Sequence, residues 1–126
     1  MYNKIILIGN LTRDPELKYT PQGTPVASFR IAVNNKLSQE KQETLFIDII
    51  AFGRVAETSN EYLSKGSSVL VEGRLHERRW ETDGQSRIKY EVLANSVRFL
   101  SKKEKDSKET PVEVSTLREE ITVYDS

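Results

Sequence analysis

Apolar and polar residues alternate with a period of two in several runs of this chain, cleanly over residues 26–33, while residues 44–54, with adjacent isoleucines, two phenylalanines and no proline, have the composition of a strand. Successive strand side chains point to opposite faces. Ala27, Phe29, Ile31 and Val33 therefore form one apolar face, with Ser28 and Arg30 on the other. In the next run, Leu45, Ile47, Ile49 and Ala51 share a wholly apolar face that needs a core. Its opposite face carries Phe46, Asp48, Ile50 and Phe52, two aromatic rings bracketing a carboxylate. Such a face is either a second buried layer or a platform for a flat ligand.

Residues 3–9 form a short continuous apolar run ending in glycine, which predicts a strand buried on both sides. Asp14-Pro15, Pro21, Gly23 and Pro25 mark residues 10–25 as turns and loop. Residues 34–43 are polar apart from Leu37 and read as an exposed, mobile hairpin connection. After Gly53 the period changes. Val55, Ala56, Ser59, Tyr62 and Leu63 recur at helical spacing, predicting a helix over about 54–64 with Gly66 as its C-cap glycine. Alternation then returns, with Val69, Val71, Gly73 and Leu75 inward and Leu70, Glu72, Arg74 and His76 outward. Asp83-Gly84 is a hairpin signal, and residues 87–99 return as the last strand, with Ile88, Tyr90, Val92 and Ala94 on one face. Beyond Leu100 the composition turns to Lys, Glu, Ser and Thr, so residues 101–126 are expected to be a disordered tail after one domain spanning 1–100.

Three strands, a short helix and two more strands is the order of the OB-fold, an all-β, five-stranded Greek-key barrel whose strands two and three commonly bind oligonucleotides. A small β-sandwich satisfies the same periodicity.

Charge changes this picture little. Nineteen Lys/Arg balance nineteen Asp/Glu, and the tail, with five basic and seven acidic residues, is mildly acidic. The chain has no cysteine, which excludes disulfides and thiol catalysis, and its one histidine, His76, cannot build a histidine cage. No apolar run approaches the roughly 18 residues of a membrane span. A cytoplasmic protein away from the membrane is expected, with neither metal nor cofactor. His76 has no nucleophile or acid–base motif beside it, and no phosphate-cradling glycine loop occurs, so catalysis is not expected.

Aromatic and basic residues interleaved on strands point instead to single-stranded nucleic acid. Unpaired bases stack on aromatic rings at about 1–3 kcal/mol each, while Lys and Arg track the backbone. Trp80 follows Arg78 and Arg79 near the tip of the long hairpin, where an indole is hard to bury. Phe46 and Phe52, on their own pattern, are better read as core or subunit packing.

Several blocks carry a more specific resemblance. Residues 3–11 (Asn-Lys-Ile-Ile-Leu-Ile-Gly-Asn-Leu) and Arg13-Asp14-Pro15-Glu16 open the chain. Phe52-Gly53-Arg54-Val55-Ala56-Glu57, Tyr62-Leu63-Ser64-Lys65-Gly66 and Val71-Glu72-Gly73-Arg74-Leu75 follow in order. Together, over about residues 3–99, they resemble the bacterial single-stranded DNA-binding proteins. The resemblance implies an OB-fold homotetramer that binds single-stranded DNA without sequence preference in replication, recombination and repair. It also implies stacking roles for Phe46, which stands where the family commonly has tryptophan, and for Phe52 and Trp80. Leu37 stands where many members carry another tryptophan, which weakens stacking there. Lys4, Arg13, Lys18, Arg54, Lys65, Arg78, Arg79 and Arg87 are the candidate phosphate contacts, with Arg78 and Arg79 foremost beside Trp80.

The tail departs from the family pattern, which closes on an acidic segment ending in Asp-Ile-Pro-Phe or similar that docks partner enzymes. Here Glu119, Glu120, Asp125 and Tyr124 are present without a terminal Pro-Phe, so recruitment of replication and repair proteins through the tail is in doubt. Leu37 and this tail also support an alternative, a related OB-fold protein-interaction module of primosome type with secondary DNA affinity.

Overall fold

A computed structural model describes residues 1–101; the tail expected over 101–126 lies, from Lys102 onward, outside the described residues. Six strands and one helix follow in the order β1 (Ile5–Leu11), β2 (Glu16–Tyr19), β3 (Pro25–Lys36), β4 (Gln42–Phe52), α1 (Arg54–Tyr62), β5 (Ser68–Thr82) and β6 (Gln85–Ser101). The sheet runs β1-β5-β6-β4-β3-β2, and β1 also pairs with β3 through Asn10–Ala32 and Leu11–Ile31. That second pairing closes β1, β5, β6, β4 and β3 into a barrel, the OB-fold rather than an open sandwich. All pairings are antiparallel except β4 with β6, where Asp48–Ala51 run parallel to Glu91–Ala94.

The alternating patterns sort as expected at the barrel's centre. Phe29, Ile31, Ile49, Val69, Val71 and Val92 are fully buried in one cluster with Leu11, Val33 and Leu63. α1 stands against the barrel through Ala56, which meets Ala27 and Ala51 in a second small cluster. Small side chains at this contact let helix and sheet approach closely. A Cβ on Gly9 would stand 2.5 Å from the Ala32 carbonyl oxygen, so the β1–β3 closure requires glycine there.

Several expectations need correction. β2 lies inside the stretch read as loop; Asp14-Pro15 and Pro21 bracket it closely, and its four residues pair with β3 as an edge extension outside the barrel. β1 is not buried on both sides: Ile5 and Leu7 pack on the core, whereas Ile6 is 56% exposed. A continuous apolar run does not say how many faces are covered. The helix ends at Tyr62, with Leu63 extended, and Gly66 is not its cap. Gly66 adopts φ 92° in the following turn, where its N–H donates to the Leu11 carbonyl at 2.8 Å. Finally, β3 and β4 stay paired out to Lys36 and Gln42, which shortens the connection to a tight turn around Leu37.

β5 and β6 continue paired beyond their barrel partners, past Gly73 where β1 ends on β5 and past Glu91 where β4 ends on β6, to a turn at Asp83 (φ 52°) and Gly84 (φ 77°). Consecutive positive φ values are the geometry that Asp-Gly favours in a two-residue hairpin. On this ribbon Leu75, Ile88 and Tyr90, expected inward, are substantially exposed because no barrel strand covers them.

Candidate nucleic-acid interface

Strand register decides which side chains share the outer surface. On β4 the outward row is Phe46, Asp48, Ile50 and Phe52, facing Ala32, Arg30, Ser28 and Val26 on β3. Asp48 is level with Glu91 of β6, and Glu91 with His76 of β5. Two residues further along the ribbon Arg78 faces Lys89, and two beyond that Trp80 faces Arg87. The pairing has no irregularity between His76 and Trp80, so all these side chains lie on one continuous face. Phe46 (57% exposed), Phe52 (48%) and Trp80 (38%) thus point outward from the same surface. None of the three is a core residue.

Between the rings lies a chain of ion pairs. Arg30 Nε donates to Asp48 Oδ1 at 2.8 Å, and Lys89 Nζ donates to the other oxygen of the same carboxylate. Next to it, buried Glu91 accepts from Arg78 Nε at 3.4 Å, with His76 Nδ1 at 3.6 Å. The Arg78 guanidinium lies 4.7 Å from the centre of the Trp80 ring, a cation–π contact. Burial alone would push the Asp48 carboxyl up, but the Arg30 and Lys89 hydrogen bonds and charges outweigh it and hold the group below the ordinary carboxylate range. Among the described residues no group of three or more His, Asp or Glu side chains could hold a metal ion.

The basic residues expected from the sequence divide into three groups. Lys18 faces Val26, which in turn faces Phe52, so it joins the aromatic face, as do Arg78 and Arg87. Arg54 begins α1 two residues past Phe52 and is exposed. Arg13 and Lys65 are exposed at another junction, where the Asp14 carboxylate accepts the Lys65 backbone N–H at 2.8 Å. Lys4 and Arg79 stand apart. Lys4 is paired with Glu72 at 2.7 Å on the β1–β5 surface. Arg79 projects from the opposite face of the ribbon and pairs with Glu77 at 2.8 Å, while Tyr90 Oη donates to the same carboxylate. Its neighbour Trp80 points the other way.

The sequence alone does not single out Arg30 and Lys89, which the structure brings to this face. Alternation put Arg30 on the outward face, but only the register reveals that one carboxylate gathers a cation from each neighbouring strand.

Known proteins resemble this chain over most of its length. The profile described as "Single-strand binding protein family" matches residues 2–100. The single-stranded DNA-binding protein of Thermotoga maritima is 46% identical over 127 residues, covering 97% of this chain and 86% of the relative. Single-stranded DNA-binding protein 1 of Staphylococcus aureus is 49% identical over 109 residues, 84% of this chain and 70% of the relative. Among solved structures, the Plasmodium falciparum SSB complex with ssDNA superposes with a TM-score of 0.73 at 31% identity. That match covers 80% of this chain and 96% of the other.

Proposed function

Because this chain belongs to the single-strand binding protein family, we propose that it binds single-stranded DNA without reading sequence, by stacking bases on Phe46, Phe52 and Trp80. The observation that carries this reading is the one outer sheet face on which all three rings are exposed. Arg78, Arg87, Lys18 and Arg54 follow the phosphates around these rings, and Arg13 and Lys65 extend the track. Lys4 and Arg79 contribute less, since each is neutralised by a carboxylate away from that face. Stacking accepts any base because every base has a π-face, whereas duplex DNA hides those faces. The chain accordingly shields exposed strands in cytoplasmic DNA replication, recombination and repair.

The same reading includes assembly into a homotetramer. It is supported by an apolar row, exposed Ile6 with half-buried Ile8 and Leu70, on a β1–β5 surface separate from the aromatic face. Light scattering on the free protein tests the subunit number. Competition between labelled oligo-dT and a duplex of equal length tests the binding mode. Displacement by single strands but not by duplex supports stacking, and equal displacement by both contradicts it.

A further inference from the structure

Asp48 is an anomaly on a face that receives a polyanion. Its carboxylate sits between the two phenylalanines of β4, and simple electrostatics says that it should repel the ligand. Its surroundings argue otherwise. The carboxylate side chain is only 12% exposed, while Arg30 and Lys89, which it holds, are 46% and 35% exposed. The negative charge is thus tucked beneath two cations that present their outer surfaces to solvent. One cation comes from β3 and the other from β6, so Asp48 ties together both strands that flank the stacking strand.

We propose that Asp48 is a positioning residue for DNA binding, holding Arg30 and Lys89 where the phosphates linking bases stacked on Phe46 and Phe52 pass. This rests on the single-stranded DNA reading above. Lysine and arginine are long, rotamer-rich side chains, and fixing them before the ligand arrives removes an ordering cost from binding. The repulsion from one carboxylate is offset locally by the two cations that cover it, and salt screens it over about 8–10 Å at moderate ionic strength. Ordering entropy is not screened. Preorganisation therefore wins as salt rises.

The test is Asp48→Asn, which keeps the shape and removes the charge, in an oligo-dT titration over a range of salt. Charge alone predicts tighter binding, because the variant gains a net positive charge. The positioning role predicts binding weakened by about three- to tenfold at moderate salt, since two rotamer-rich side chains must then be ordered on binding. It also predicts coupling: Arg30→Gln should cost less in the Asp48→Asn background than in the native one. Equal or tighter binding by Asp48→Asn, with additive effects of the two substitutions, overturns the proposal. A thermal melt shows whether Asp48→Asn folds. If it does not, Arg30→Gln and Lys89→Gln in the native background carry the test. Each should lower the slope of log affinity against log salt by about 0.7, one phosphate contact on a single strand. No change in either variant overturns the proposal. A native chain that fails to bind oligo-dT at all overturns the DNA reading itself, an outcome distinct from native binding that Asp48→Asn leaves undiminished.

Discussion

The Arg78 guanidinium lies 4.7 Å from the centre of the Trp80 ring, while Arg79, between them in sequence, points to the other side of the ribbon. Two adjacent arginines thus have different fates. Arg78 lies over one face of the indole, and its Nε is anchored on Glu91. Arg79 spends its charge on Glu77.

Arg78→Ala is therefore expected to weaken oligo-dT binding and lower the salt slope by about 0.7, whereas Arg79→Ala should leave both nearly unchanged. Fluorescence anisotropy of a labelled oligonucleotide at several salt concentrations separates the two variants. Equal effects would show that the ribbon's faces are not distinguished by the ligand.

Phe46→Ala and Phe52→Ala should each cost about 1–3 kcal/mol of binding, the value of one stacked base. Both rings are about half exposed, so the melting temperature should fall little. Ile49→Ala, on the buried face of the same strand, should do the reverse, destabilising the fold by about 2–5 kcal/mol. Denaturation and binding measured on the three variants distinguish the two faces of β4.

That contrast also marks how much could be read in advance. Side-chain parity along β4 assigned Ile49 and Ala51 correctly to the core face, but pattern alone favoured packing for Phe46 and Phe52, which meet solvent, and Leu45, expected in the core, is 40% exposed where the strand runs past the barrel. The helix between the third and fourth barrel strands was equally legible from the change of period. β2 was not, since four residues between proline-marked turns carry too little pattern to outweigh the turn signals. Exposure of Leu75, Ile88 and Tyr90 was also hidden. The same alternation continues from barrel to free ribbon, and only the end of the β1 and β4 pairings shows where cover stops. The Asp48 ion pairs depend on registers between residues 18 and 41 positions apart, which no local pattern contains.

Gly9→Ala should destabilise the fold by about 1–3 kcal/mol, because the added methyl meets the Ala32 carbonyl at 2.5 Å where β1 closes the barrel. Urea denaturation checks this: a lowered midpoint with an unchanged m-value is expected.

Acid stability should depend on Asp48. Its carboxyl is held below the ordinary value of 3.8 in the folded protein, so the unfolded chain binds the proton more readily. The stabilisation is fully present above that value and is lost as pH falls through the lower folded-state value. Asp48→Asn lacks this contribution. Its melting temperature should lie below the native one at neutral pH and approach it in acid, which a series of thermal melts from about pH 7 down to pH 2 can follow.

The central claim is that the face bearing Phe46, Phe52 and Trp80 binds single-stranded DNA by stacking. Trp80, the sole tryptophan, reports on it directly. Titration with oligo-dT should quench its fluorescence to a saturating endpoint, with a log affinity that falls linearly in log salt, and Trp80→Ala should bind labelled oligo-dT more weakly by anisotropy. Unchanged native fluorescence, together with no binding of labelled oligo-dT by anisotropy at low salt, would contradict the account.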